Sequence, residues 1–439
     1  MNPPSETAQR PRVVVIGAGF AGLEVVRGLA HAPVDVLLLD QNNYTTFWPL
    51  MYQVATSGLE AQVITQPIRS ILRRMPNVRF RLTAVQRVDL DRQIVITDTG
   101  EIPYDEVVIA AGSTDNFFGL EDIEAHAFGF KELPEALAVR NHVIGCYERA
   151  LIETDPERVQ ALLTLVVVGG GPTGVELAGA LAELNRHVMS RDYPGLDASK
   201  VRVLLVEMAD RVLLTFPPKL SEKALRDLQR LGVDVRLHTS VAGFSDAVLR
   251  FKDGSTIATE TVVWTAGIQG ATLGPTLGIP LERGSRVPIT ARLHLRDWSN
   301  VWIIGDMAYL EGPDGKPYPQ LATVAMQQGR HVARNILSKV RGQQLRDFRY
   351  VDKGTMATVG RRRAVARIWG MNWDGPIAWW LWPVVHLLYL VGIRNRVLAV
   401  INWTYSYLTY DRAARAVFVA ARQAHHDAEP VGTTVSVVR

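Results

Sequence analysis

Twice in 439 residues an unbroken apolar strand runs straight into three glycines spaced for a tight turn. Val13-Val14-Val15-Ile16 meets Gly17-Ala18-Gly19-Phe20-Ala21-Gly22, and Leu165-Val166-Val167-Val168 meets Gly169-Gly170-Gly171-Pro172-Thr173-Gly174. Each turn opens a helix-like stretch that leads to a second apolar strand, the first closed by Asp40 and the second by Glu207. Strands that are apolar at every position are buried on both faces, so both segments read as β-turn-α-β units of parallel sheets. The expected fold class is α/β, with two Rossmann-like units.

A single G-x-G-x-x-G is weak evidence, but here its context is met twice. The first glycine makes the turn, and the second lets a pyrophosphate approach bare backbone. The third lets the helix pack close to the strand, with its N-terminal amides facing the phosphates. Asp40 and Glu207 stand where a carboxylate accepts the ribose hydroxyls of an adenosine. A carboxylate there repels a 2′-phosphate, so Glu207 favours NADH over NADPH, with Arg211 four residues on as the counterweight.

Three further apolar strands end in turns: 107–110 before Ala111-Gly112, 262–265 before Ala266-Gly267, and 301–304 before Gly305-Asp306. The first two close the nucleotide units. The third follows the second unit and is expected to return to the first sheet, which makes the first domain discontinuous. The expected division is 11–120 and 276–350 for an FAD domain, 121–160 as a connector, and 161–275 for an NAD(H) domain. A C-terminal membrane-attachment region, 351–423, and a loose tail, 424–439, complete it. Gly305-Asp306 decides which unit holds the flavin. Its aspartate suits the hydroxyls of a ribityl chain, and the helix around 324–336 would point its N-terminus at the ring.

Composition narrows the function. Hydrophobic residues are 47% and charged residues 21%, as in a folded globular protein. The net charge is only +4 and the longest basic run is Arg361-Arg362-Arg363, so no nucleic-acid partner is expected. Cys146 is the only cysteine, which excludes an intramolecular disulfide and any mechanism needing a cysteine pair. No cluster has metal-ligand spacing, so no metal is expected. The first ten residues lack the apolar core of a signal peptide, and the expectation is a cytoplasmic protein with a frayed N-terminus.

The succession of Gly17-x-Gly19-x-x-Gly22, Ala111-Gly112, Gly169-x-Gly171-x-x-Gly174, Ala266-Gly267 and Gly305-Asp306 resembles the flavoproteins with two dinucleotide-binding domains. These include disulfide reductases, ferredoxin reductases, sulfide:quinone reductases and type II NADH dehydrogenases. The lone cysteine argues against the first and third. The segments 47–56 (FWPLMYQVAT), 321–329 (LATVAMQQG) and 386–410 resemble the type II NADH dehydrogenases. That resemblance implies sites for FAD and NAD(H), NADH as electron donor, and a membrane quinone as acceptor. It also implies a role for Glu176, two residues past the last glycine of the second loop, at the meeting of nicotinamide and flavin. The reading from the residues alone is a carboxylate set against the helix dipole. Many members carry Ala-Gln where this chain has Ala322-Thr323, so Gln327, one helical turn from Thr323 on the same face, is a second candidate for the quinone. Gln328 beside it, with Tyr52 and Gln53 in the flavin-side loop, are read as pocket residues or as local packing. His386, embedded in an apolar run, reads as structural.

From 351 onward the chain is rich in Trp and Tyr. Residues 377–393 and 397–410 contain no charge, and Pro383 interrupts the first run. Seventeen residues sit at the lower edge of a bilayer span and fourteen are too few. On a helical wheel Asn395, Asn402, Ser406 and Thr409 oppose Val397, Val400, Ile401 and Leu408, as in a helix lying on a membrane. Trp379, Trp380 and Trp403 are read as part of that contact.

The expected activity is FAD-dependent, non-proton-pumping oxidation of NADH with two-electron reduction of a membrane quinone in a respiratory chain. The expected location is the cytoplasmic face of the cell membrane, peripheral and monotopic, with the lipid surface as partner and a homodimer left open. The alternatives are a soluble NADH-dependent ferredoxin or rubredoxin reductase and a non-catalytic NAD(H)-sensing flavoprotein.

Overall fold

The structure is a computed structural model that describes residues 10–412 and 414–417. The tail expected at 424–439 and the frayed residues 1–9 lie outside the described residues. The unbroken apolar runs form parallel strands, as burial on both faces requires. The first sheet is ordered Val301–Ile303, Glu106–Ile109, Arg12–Ile16, Asp35–Asp40, Val78–Leu82. All four pairings are parallel, with Val13 opposite Val36 and Val301 opposite Val107. A strand that follows the whole second unit therefore completes the first sheet and delivers Gly305 and Asp306 beside Gly17. The second sheet, also parallel, is ordered Val233–Arg236, Arg202–Val206, Thr164–Val168, Thr261–Trp264. Ser113–Asp115 pairs antiparallel with Ile268–Gly270, so the segments leaving the two sheets are hydrogen-bonded to each other.

The C-terminal region contains more than the helices expected of it. An antiparallel sheet of Thr355–Gly360, Arg363–Ile368 and Met371–Asp374 precedes them. This sheet lies on the helix Pro172–Leu184 so closely that a Cβ on Gly179 would stand 1.9 Å from the Val359 carbonyl oxygen. The helices Gly375–Tyr389 and Ile393–Thr409 follow, with Pro383 inside the first.

The helix Ile393–Thr409 has the two faces the wheel drew, and the polar one points inward. Asn395 is buried and its Nδ2 donates to the Thr65 carbonyl at 2.7 Å, whereas Ile393, Val397, Ile401 and Leu408 are exposed. On Gly375–Tyr389 the exposed residues are Ile377, Trp380, Val384 and Leu388, three or four apart along one stripe. Two helices thus turn apolar stripes away from the protein. Trp403 is a correction: it faces inward, its Nε1 donating to Gln53 Oε1 at 2.7 Å, because that position shares the Asn395 and Ala399 face. Trp379 is half-buried against Ala378 and the C-terminal sheet, which leaves Trp380 as the exposed member of the three.

Candidate functional site

The two glycine loops are built alike, and their geometry explains the spacing. Gly17 has φ +97°, and a Cβ there would lie 2.3 Å from the Ala110 carbonyl oxygen; one on Gly22 would lie 1.9 Å from that of Gly17. In the second loop Gly169 has φ +112° against Ala266, and a Cβ on Gly174 would lie 1.8 Å from the Gly169 carbonyl oxygen. Only residues without a side chain permit either turn. The carboxylates past the second strands brace these loops. Asp40 accepts from the Ala18 and Asn42 amides at 2.6 and 2.7 Å. Glu207 accepts from those of Gly170 and Ala209 at 2.6 and 2.8 Å. Burial raises the Asp40 pKa, and its two backbone hydrogen bonds oppose that rise.

A cavity of about 1000 Å³ opens from the first loop. Its lining includes Gly17, Gly19, Phe20, Ala21 and Asp40 from the first unit, Ala111, Gly112, Gly305, Asp306, Ala322 and Thr323 from the later strand ends and the helix that follows, and Pro172, Thr173, Glu176, His386 and Tyr389 from the second loop and the C-terminal region. Asp306 accepts from Ser113 Oγ at 2.6 Å and pairs with Lys131 Nζ at 3.2 Å. The Gly305 amide donates to Gln328 Oε1 at 2.7 Å, which fixes the turn that carries Asp306. Bare backbone for phosphates, two carboxylates for hydroxyls and an elongated cavity fit a flavin dinucleotide.

Glu176 lies one turn into the helix Pro172–Leu184 and lines this cavity. Its Oε1 accepts from the Thr358 amide at 3.2 Å, and the Trp382 indole N–H faces it. Burial outweighs both donors and pushes its pKa up to about 8. His386 stacks on Trp382 with ring centroids 4.0 Å apart. Burial pushes its pKa down to about 4, so the ring is neutral at pH 7. Its Nδ1 lies 2.7 Å from the Trp382 carbonyl oxygen, which can only accept; Nδ1 therefore carries the proton and Nε2 presents a lone pair.

Residues 11–329 match the model of the pyridine nucleotide-disulphide oxidoreductases, and residues 353–410 match the NDH2 C-terminal domain. The type II NADH:quinone oxidoreductase of Mycobacterium tuberculosis is 36% identical over 425 residues, 93% of this chain and 91% of that protein. That of Staphylococcus aureus is 30% identical over 377 residues, 84% of this chain and 91% of that protein. The chain belongs to the type II NADH:quinone oxidoreductase family. The fold agrees: the Plasmodium falciparum NDH2 structure in complex with NADH superposes with a TM-score of 0.86 at 18% identity, covering 92% of this chain and 99% of that one. The Aquifex aeolicus sulfide:quinone oxidoreductase gives 0.69 at 18% identity, covering 88% and 92%.

Within this type II framework some candidates from the sequence come together and others part. Glu176 and Thr323 line one cavity, with Thr323 Oγ1 2.9 Å from the Tyr350 hydroxyl. Gln327 does not line it. Both ends of its amide are taken by the Val351 backbone, at 2.9 and 3.0 Å, because its helix face lies against the incoming 350–351 strand of chain. Gln53 does not line it either, being held between the Tyr52 hydroxyl and Trp403 Nε1. Gly169, Gly171, Gly174, Glu207, Ala266 and Gly267 lie off this cavity around the second loop, while Pro172 and Thr173 reach it. Ala266 backs Gly169, and a Cβ on Gly267 would stand 2.6 Å from the Phe118 ring.

Sequence reasoning missed Lys131, Gln328 as the buried glutamine of the pair, and His386 as a cavity residue. Gln328 had a signal: it continues the stripe Val324, Val332, Ile336 at helical spacing, all buried. Lys131 sits in no motif.

Proposed function

We propose that this chain oxidises NADH and passes two electrons to a membrane quinone without pumping protons, as a peripheral respiratory enzyme on the cytoplasmic face of the cell membrane. FAD occupies the cavity at the first loop and NAD(H) the second loop. The observation that carries the reading is the continuity of one cavity from Gly17 and Asp40, past Glu176, to His386 and Tyr389 on a helix whose other face is apolar and exposed. Bound FAD supplies the two-electron carrier that takes hydride from NADH and returns electrons to quinone.

The protein positions and protonates. Pro172 and Thr173, at a helix N-terminus, favour the nucleotide's phosphates. Glu176, protonated at pH 7, holds one proton at its carboxyl beside the reacting rings. Hydride brings two electrons and one proton, so reducing a quinone to a quinol needs one more. Glu176 is placed to supply it and to be refilled from the cavity. Thr323, with the Tyr350 hydroxyl bonded behind it, offers one hydroxyl donor to a quinone oxygen, and the lone pair on His386 Nε2 accepts from a quinol hydroxyl. The exposed stripes Ile377, Trp380, Val384, Leu388 and Ile393, Val397, Ile401, Leu408 support seating on a bilayer, where an apolar substrate resides.

Substitution of exposed stripe residues tests the reading without disturbing packing. Val384→Glu with Leu388→Glu and Ile401→Glu should release the flavin-loaded protein from membranes. NADH:ferricyanide activity should be kept, and reduction of a long-chain quinone in vesicles should fall by more than about tenfold, as expected for three charges moved out of an apolar layer. Retained membrane binding with normal quinone turnover overturns the surface reading. In sealed vesicles NADH oxidation by quinone should build no membrane potential.

A further inference from the structure

The indole nitrogen of Trp382 is buried, completes no hydrogen bond among the described residues, and stands at the edge of bonding reach of the Glu176 carboxyl, whose pKa it lowers. An unpaired buried N–H is costly to keep, and Trp382 is held firmly in the position that keeps it unpaired. His386 stacks on one face at 4.0 Å and ties its Nδ1–H to the Trp382 carbonyl. Tyr52 and Trp403 pack against it at centroid distances of 6.2 and 5.7 Å. The polar group it faces is the carboxyl of Glu176. The other donor to that carboxyl, the Thr358 amide, is also fixed, by the strand that lies along the glutamate's own helix.

We infer that Trp382 is a positioning residue for Glu176: its indole N–H is held in reserve to donate to the carboxylate once the proton has left. A protonated carboxyl is the weaker acceptor and draws the indole in less than a carboxylate does. An ionised one draws in both N–H donors, and charge-assisted bonds are roughly twice as strong as neutral ones. The helix that carries the exposed apolar stripe thereby sets how readily Glu176 gives up its proton. The inference rests on the reading of Glu176 as the group that holds the proton.

The neighbouring charges leave this role to Trp382. Tyr52, from Met51–Ala55, has a pKa well above the ordinary value, mainly from burial, and stays protonated. His386, on the same helix as Trp382, is neutral at pH 7. Glu183, two turns along the helix from Glu176, is occupied by the Arg361 amide and by Arg412. Lys131 is paired with Asp306, and Lys353, which also lines the cavity, is exposed.

The test is the pH dependence of Trp382→Phe in the flavin-loaded full chain. Turnover with a short-chain quinone and the infrared band of the Glu176 carboxyl are followed together. Removing the donor should move both midpoints up by about one pH unit, a tenfold rise in proton affinity. Glu176→Gln should abolish the midpoint in either background. A midpoint unmoved in Trp382→Phe, while Glu176→Gln abolishes it, overturns the inference and leaves the proposed function standing. A midpoint that survives Glu176→Gln overturns the reading of Glu176 itself. Should Trp382→Phe fail to hold flavin, the native protein labelled with ¹⁵N-tryptophan decides the matter. One indole N–H signal should shift with the Glu176 midpoint and stand still in Glu176→Gln; no such signal overturns the inference.

Discussion

Glu24 and Glu176 stand at the same offset, two residues past the third glycine of their loops, and meet opposite surroundings. Glu24 is buried between two arginines, Arg27 at 2.9 Å and Arg330 at 2.5 Å, the second contributed by the helix Ala322–Val340. Among the described residues no cation pairs with Glu176. The C-terminal sheet and helix that cover it offer an amide and an indole N–H, and burial drives its pKa to about 8. One motif thus places two carboxylates identically on two helices, and the element that packs over each decides whether it holds the fold or holds a proton. In the first unit that element is a helix bearing an arginine; in the second it belongs to the C-terminal region.

The sharpest way to break this comparison is to neutralise each carboxylate in turn. Glu176→Gln should keep its flavin and lose about a hundredfold in quinone turnover, the usual contribution of a positioned proton donor. Glu24→Gln should keep turnover near that of the native protein and cost about 1 kcal/mol of stability, since both its arginines are partly exposed. Stopped-flow kinetics and thermal melts read the pair. Equal losses of turnover in both variants would mean that the covering element does not set the role.

Stability against pH sharpens the same contrast. Glu176 binds its proton more tightly folded than unfolded, 4.5 rising to about 8, so unfolding between those values releases a proton. Stability is fully present below pH 4.5 and falls as pH rises toward 8. His386 works in the other direction. Its folded pKa is lowered from 6.5 to about 4, so its stability is present above pH 6.5 and is lost as pH falls toward 4. Melting temperatures of the flavin-loaded protein from pH 5 to 8.5 should fall less in Glu176→Gln than in the native chain. An unchanged slope would place the carboxylate in water.

What was legible in the sequence follows the same division. The strand-glycine-helix units could be read because backbone sterics alone demand their pattern: a Cβ at Gly22 or Gly174 would collide with the loop's own carbonyl oxygen. The return of Val301–Ile303 to the first sheet could be read from its apolar run and Gly305-Asp306. The C-terminal strands could not. Thr355–Gly360 and Arg363–Ile368 alternate poorly and meet at three consecutive arginines, because one side is buried on a helix and the turn at Arg361-Arg362 bonds to Glu183 and Tyr407. The i, i+4 spacing from Thr323 favours Gln327 over Gln328; the packing of the helix gives the buried position to Gln328 and the chain-facing one to Gln327. The same buried contacts show why the region beyond Val351 cannot simply be removed: Trp382, Leu390 and Ala399 share a core with Val175 and Ala178 of the helix that carries Glu176.

A smaller effect distinguishes the two bracing carboxylates, Asp40 and Glu207. Both accept two backbone amides; under the proposed function they would face different adenosines, and Glu207 would also select NADH over NADPH. Glu207→Gln keeps one oxygen to accept from Gly170 or Ala209 and turns an NH₂ toward the other amide, so one brace is lost and the negative charge with it. The loss of charge removes the repulsion of a 2′-phosphate. Arg211, whose NH2 donates to the Leu214 carbonyl at 3.2 Å, remains four residues away as a cation. The KM for NADH should rise, and the ratio of kcat/KM for NADH over NADPH should narrow by about tenfold, equivalent to about 1.4 kcal/mol. Flavin content should not change, because Asp40 and the first loop are untouched. Asp40→Asn should do the reverse, weakening flavin retention while leaving the nucleotide preference as it was. A selectivity ratio unmoved by Glu207→Gln would mean that the carboxylate only braces its loop and that the adenosine ribose is read elsewhere.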